Sequence, residues 1–108
     1  MVYGYARVAS PEPGCEETLN NQAECLREYG AIEIYKEQGS GLVELPVLHN
    51  LLMKLQKGDK LIVRSLSRLT RDIHKFNSIM TDLHERGVDF VAIGDCFILS
   101  RDYEWLGL

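Results

Sequence analysis

Apolar and polar positions along this chain follow two periods, and the switches between them mark out its elements. Val2–Val8 alternates, with Val2, Gly4, Ala6 and Val8 on one side and Tyr3, Tyr5 and Arg7 on the other, which predicts a strand. Ala9–Thr18 carries two prolines and a glycine and predicts a loop. From about Glu16 to Tyr29, Leu19, Ala23, Leu26 and Tyr29 recur at helical spacing, with Gly30 as the stop. Ala31–Lys36 predicts a second strand with Ile32 and Ile34 facing the core, and Glu37–Glu44 a glycine-containing loop. Pro46 can open a helix whose apolar stripe is Val47, Leu48, Leu51, Leu52 and Leu55, ended by Gly58. Lys60–Ser65 predicts a third strand and Ser65–Arg71 a loop. Asp72–Arg86 predicts a long helix with Ile73, Phe76, Ile79, Met80 and Leu83 inward and Gly87 at its end. Val88–Ile93 predicts a fourth strand and Cys96–Leu99 a short fifth. This alternation predicts an α/β fold: three layers, αβα, around a mainly parallel sheet of four to five strands. No internal repeat or low-complexity segment interrupts it.

Composition narrows the class. A chain of 108 residues is long enough for one real core and not for two, so residues 1–108 read as a single domain. Apolar content of 45% and charged content of 26% are those of an ordinary globular protein. No apolar run approaches membrane-spanning length, and the N-terminus lacks the layout of a signal peptide. Cys15, Cys25 and Cys96 are odd in number and scattered, without a CxxC or Cys/His cluster. That predicts reduced thiols in a cytoplasmic protein, with neither disulfide scaffold nor zinc site. The net charge of −4 argues against a DNA-wrapping protein but leaves room for a local basic patch.

The stretch with most chemistry is Gly58–Asp72, GDKLIVRSLSRLTRD. An apolar strand runs into Arg64, Arg68 and Arg71 within eight residues. In open α/β sheets, ligands gather at the carboxyl ends of strands. Arg68 and Arg71 are three apart, so a helical turn would put both guanidinium forks on one face, an arrangement suited to phosphate. Spacing alone favours the plainer reading, in which these arginines pair with some of the sixteen acidic residues on a solvated surface. The remaining features are plainer. His49, His74 and His84 are too dispersed to bind a metal. Gly39-Ser40-Gly41 lacks a proper P-loop context and reads as a flexible connection. Tyr3, Tyr5 and Tyr35 read as packing residues with wet hydroxyls, and Trp105 as a core cap or a self-association residue.

Several motifs carry a resemblance. Tyr3-Gly4-Tyr5-Ala6-Arg7-Val8, then Leu19-Asn20-Asn21-Gln22 and Leu26-x-x-x-Gly30, open it. Ile34-Tyr35-Lys36-Glu37, Ser40-Gly41 and Leu45-Pro46-x-Leu48-x-x-Leu51-Leu52 continue it. Gly58-Asp59-x-Leu61-x-Val63-x-x-Leu66-x-Arg68-Leu69-x-Arg71 is its most diagnostic block, and Gly87-Val88-x-Phe90 follows. In this order, over nearly the whole chain, these motifs resemble the N-terminal catalytic domain of the serine recombinases (resolvases and invertases). The resemblance implies a resolvase-like fold. It implies a serine hydroxyl that attacks a DNA phosphodiester to form a covalent phosphoserine link, with arginines stabilising the charge on phosphorus. Neither metal nor cofactor is implied. By motif position, Arg7, Arg68 and Arg71 match the active-site arginines, and Gln22 and Glu37 match polar supporting positions. DNA is the implied partner, together with a homodimer or higher oligomer.

The chain departs from the family pattern at three places. Ala9 stands at the nucleophile's position, directly after Arg7-Val8, and has no hydroxyl. Leu45 precedes Pro46 where the family has an arginine, and Ser67 precedes Arg68 where it has an aspartate. Three such changes together read as decay of catalysis rather than a single Ser→Ala replacement, the alternative being a non-catalytic dimerisation or regulatory module that kept the resolvase fold. Ser10 is a possible substitute nucleophile, although adjacent strand residues point to opposite faces, which would aim it away from the arginines. The family continues into a long helix and a helix-turn-helix module. A domain ending at Leu108 without them is expected to bind DNA weakly and with strong salt dependence.

Overall fold

The computed structural model describes residues 1–8, 18–39 and 45–100. Five strands form one sheet in the order β2-β1-β3-β4-β5. They are β1 (Val2–Val8), β2 (Glu33–Gln38), β3 (Lys60–Val63), β4 (Asp89–Ala92) and β5 (Phe97–Leu99). The helices are α1 (Leu19–Glu28), α2 (Pro46–Lys54), a single turn α3 (Leu66–Leu69) and α4 (Ile73–Glu85). β1, β2, β3 and β4 run parallel, whereas β5 returns antiparallel to β4. The β4–β5 connection is a short turn, too short for the crossover a parallel strand needs.

The two faces of β1 divide the core as the alternation predicts. Tyr3 and Tyr5 pack with Leu61, Val63 and Phe90 beneath α2 and α4, alongside Leu48, Leu51, Phe76, Met80 and Leu83. Ala6 and Ile62 pack with Leu26 and Ala31 on the α1 side. Helices therefore cover both faces, which gives the three layers. A Cβ at Gly4 would lie 3.1 Å from Leu26 Cδ1 and 3.2 Å from Ala31 Cβ, so its bare backbone lets α1 sit close against β1.

Local chemistry sets the helix ends. The Thr18 hydroxyl accepts from the Asn21 amide and starts α1. α1 ends in a left-handed Gly30 (φ 102°), with Gly30 N–H bonded to Arg27 O and Ala31 N–H to Leu26 O. α4 ends likewise at Gly87 (φ 74°), after Asp72 caps its start by accepting from His74 and Lys75.

Several expectations shift. β2 runs on to Gln38, which puts Glu37 in the sheet rather than in a loop. Ile32, expected in the core, falls in the connection before the strand and is 73% exposed. Tyr29 caps α1 instead of joining its stripe and is exposed. Ile73, expected inward, is exposed at the first position of α4. α2 ends at Lys54, ahead of Gly58. The predicted loop Ala9–Thr18, Trp105, and Ser40 and Gly41 lie outside the described residues, apart from Thr18. No described helix is long and apolar enough to cross a membrane.

Candidate functional site

The order β2-β1-β3 places a topological switch between β1 and β3, because the chain leaves β1 for one neighbour and later returns to the other. A crevice opens at the carboxyl ends of such a pair. β1 pairs with β3 only from Val2 to Tyr5, so Ala6–Val8 extend past the end of β3. The chain leaving β3 turns into α3 here and carries Arg68 and Arg71.

Arg7 stands in this notch and is 2% exposed. Its guanidinium holds three backbone carbonyls. Nε donates to Arg68 O at 2.9 Å, Nη1 to Gly39 O at 2.6 Å, and Nη2 to Ser67 O. A planar fork suits this task, since its donors diverge at fixed angles. Arg7 therefore ties the end of β2 to the arginine turn. Burial pulls its pKa below the ordinary arginine value. Tyr5 opposes that pull, Arg68 and Arg71 add to it by repulsion, and Glu37 opposes it. The bonds to the Ser67 and Arg68 carbonyls set Arg7 against the turn that carries Arg68.

Arg68 and Arg71 do not share a helical turn. α3 stops at Leu69 and Thr70 is extended (φ −164°, ψ 157°), so Arg71 follows on a different course. Arg71 is exposed and Arg68 half-buried. Arg64 goes elsewhere: its guanidinium lies over Gly94, where an added Cβ would meet Nη1 at 2.7 Å.

Of the two polar residues singled out by motif position, Gln22 is built into this notch and Glu37 stands on β2, on the other side of β1. Gln22, fully buried on α1, accepts from Arg7 N–H at 3.1 Å and donates from Nε2 to Arg7 O at 2.9 Å. Those backbone groups point toward the side where β3 has ended, and the amide takes the place of the missing strand. Glu37 is 6% exposed and caps α2 from a neighbouring strand. Its Oε2 accepts from Val47 N–H at 2.8 Å, and Oε1 from Leu48 N–H at 3.0 Å and Tyr5 Oη at 2.7 Å. α2 needs this help because Leu45 offers no side-chain cap and its first turn holds no acid. Burial, then the bond to Glu37, raises the Tyr5 pKa well above its ordinary value.

Two of the three departures from the motif have definite places. Leu45 is a core residue, 4% exposed. Ser67 sits on α3 with its hydroxyl 3.0 Å from that of Ser65. Ala9 and Ser10 lie outside the described residues. Sequence reasoning passed over Asp95, whose Oδ2 accepts from Leu66 N–H at 2.7 Å. The Gly94-Asp95 pair after a strand was the turn signal that could have pointed to it.

Residues 2–103 match the family model for the resolvase N-terminal domain. The chain belongs to the serine recombinase family. Probable DNA-invertase y4cG of Sinorhizobium fredii is 40% identical over 94 residues, covering 85% of this chain and 29% of that protein. Serine recombinase gin of Escherichia phage Mu is 33% identical over 96 residues, covering 88% of this chain and 48% of that protein. The chain thus spans about half or less of the length of these curated relatives. A serine recombinase from Sulfolobus solfataricus superimposes with a TM-score of 0.70 at 25% identity, covering 85% of this chain and 66% of that one. The N-terminal catalytic domain of TP901-1 integrase shares the fold, with a TM-score of 0.79 at 20% identity, covering 90% and 80% of the two chains. The mixed five-stranded sheet is accordingly that of a serine recombinase catalytic domain.

Proposed function

We propose that this serine recombinase domain keeps a phosphate-binding arginine site at the β1/β3 switch while lacking the nucleophile for strand cleavage. The observation that supports this reading is the Arg7 guanidinium, at the carboxyl end of β1, holding the Ser67 and Arg68 carbonyls of the turn that follows β3. In it, Arg71 and Arg68 present guanidinium forks to a DNA phosphate. Arg7 contributes its charge from below while its donors hold the carbonyls that shape the turn. Gln22 and Glu37 keep the frame of that site. In relatives with a serine at position 9, the hydroxyl would attack phosphorus and the leaving sugar oxygen would take a proton. Ala9 supplies no such group, so the chain binds without cutting. DNA is the partner in this reading. Self-association into a dimer or larger assembly belongs to the same reading and rests on the family alone.

The test is a titration of a short labelled duplex across a salt series with wild type, Arg68→Ala and Arg71→Ala. Each phosphate contact contributes about 0.9 to the slope of log affinity against log salt. Each variant is expected to lose roughly one such contact. Slopes identical to wild type in both variants would remove the reading. Ala9→Ser is expected to leave the domain unable to cleave, because Leu45 and Ser67 still depart from the family motif. Cleavage by that single variant would mean that only the hydroxyl is missing.

A further inference from the structure

α3 is one turn of four residues, which cannot hold itself together by its own hydrogen bonds. Its N-cap residue, Ser65, makes no side-chain capping bond, and the Ser65 hydroxyl instead faces that of Ser67 at 3.0 Å. Yet this turn carries Arg68, and its Ser67 and Arg68 carbonyls are the ones Arg7 holds. Arg7 fixes its carbonyl side. Something else must fix its amide side.

The β4–β5 turn does so. Ile93 N–H donates to Val63 O at 3.0 Å and Gly94 N–H to Arg64 O at 2.7 Å, carrying the β3–β4 ladder past both strand ends. This close approach requires glycine, since a Cβ at position 94 would lie 2.9 Å from the Arg64 carbonyl oxygen. The next residue, Asp95, then reaches across to the first amide of α3, accepting from Leu66 N–H at 2.7 Å. Cys96 completes the turn in the left-handed region (φ 51°). A carboxylate from elsewhere in the chain thus serves as the N-cap that the turn lacks.

We infer that Asp95 is a positioning residue for the arginine site, capping α3 in place of its own N-cap so that Arg68 is presented in one orientation. The inference rests on the phosphate-binding reading above. It has a signature that charge alone would not give. Removing an acid beside a phosphate site should strengthen DNA binding if charge is all that matters. If Asp95 positions the turn, what counts is its acceptor oxygen.

The experiment compares Asp95→Asn with Asp95→Ala, both neutral, on the same labelled duplex, with wild type and Arg68→Ala alongside. Asparagine keeps an acceptor oxygen, so Asp95→Asn is expected to bind at least as tightly as wild type. Asp95→Ala is expected to bind roughly five-fold more weakly than Asp95→Asn, the scale of a lost helix cap. Amide exchange at Leu66 should speed up in the alanine variant and not in the asparagine one. Gly94→Ala gives an independent check should Asp95→Ala fold poorly. Its Cβ forces the turn away from Arg64, and it should show the same weakening and the same faster Leu66 exchange. Equal binding and equal exchange in the alanine and asparagine variants overturn the inference while leaving the arginine site standing. An Arg68→Ala variant that binds like wild type removes Arg68 from the site, and this inference with it.

Discussion

Replacing Arg7 by lysine keeps the positive charge and removes the fork. Three carbonyls converge on the guanidinium, from Gly39 at the end of β2 and from Ser67 and Arg68 on α3. They approach through Nε, Nη1 and Nη2, positions spread over the plane of the group. A lysine ammonium is a single point on a flexible stem and can serve about one of them. Two charge-assisted hydrogen bonds are then lost at a residue only 2% exposed, at about 1.5–3 kcal/mol each. The expected destabilisation is about 3–6 kcal/mol, a large part of the roughly 5–15 kcal/mol typical of a domain. Urea unfolding followed by far-UV circular dichroism measures it, with an unchanged dependence on denaturant showing that both end states keep their extent. Arg71→Lys is the control: Arg71 is exposed, so its cost should stay within about 0.5 kcal/mol. If Arg7→Lys lies within about 1 kcal/mol of wild type, the guanidinium does not hold those carbonyls, and Arg7 must be assigned to ligand rather than to frame.

Two further perturbations probe the same frame. Tyr5 is raised above its ordinary pKa by burial and by its bond to Glu37, so its stabilising effect is complete below about pH 10 and is lost above it, as the unfolded chain ionises first. Stability should fall by up to about 1.4 kcal/mol per pH unit there, and Tyr5→Phe should flatten that alkaline arm; an unchanged arm would place the effect in another group. Gln22→Leu preserves bulk but leaves the Arg7 N–H and C=O without their partner, at an expected cost of about 2–4 kcal/mol in urea unfolding. A cost near zero would show that water replaces the amide.

What the sequence made legible was whatever repeats at short range. The two faces of β1 follow from a period of two, and the structure sorts Tyr3 and Tyr5 from Gly4 and Ala6 as that period requires. Arg68 and Arg71 drew notice because an apolar strand leads into them, but the grouping misjudged Arg64, which turns to Gly94, and the single helical face expected of the other two. Periodicity misled at element ends, where capping geometry takes over. Tyr29 and Ile73 keep helical spacing, yet one is the C-cap of α1 and the other the first residue of α4, and both are exposed. The long-range polar ties were illegible for another reason. Glu37 capping a helix ten residues on, or Asp95 capping one twenty-nine residues back, leaves no periodic trace in the chain. Only the resemblance drew attention to Gln22 and Glu37, and nothing comparable drew attention to Asp95.

The notch beyond the end of β3 has a consequence for the order in which the chain can be built. Arg7 belongs to the first strand made, but its carbonyl partners lie 32, 60 and 61 residues further along. Burying the guanidinium before α3 emerges would leave a charge with one of its three carbonyl acceptors, the Gly39 one, which disfavours early burial. The last three residues of β1 can pair with β2 before then, but their other edge, beyond the end of β3, cannot close. Closure of that edge waits for the chain that carries Arg68, so the notch becomes rigid late, and a nascent domain stalled before that point keeps it open to whatever protein or solvent surrounds it.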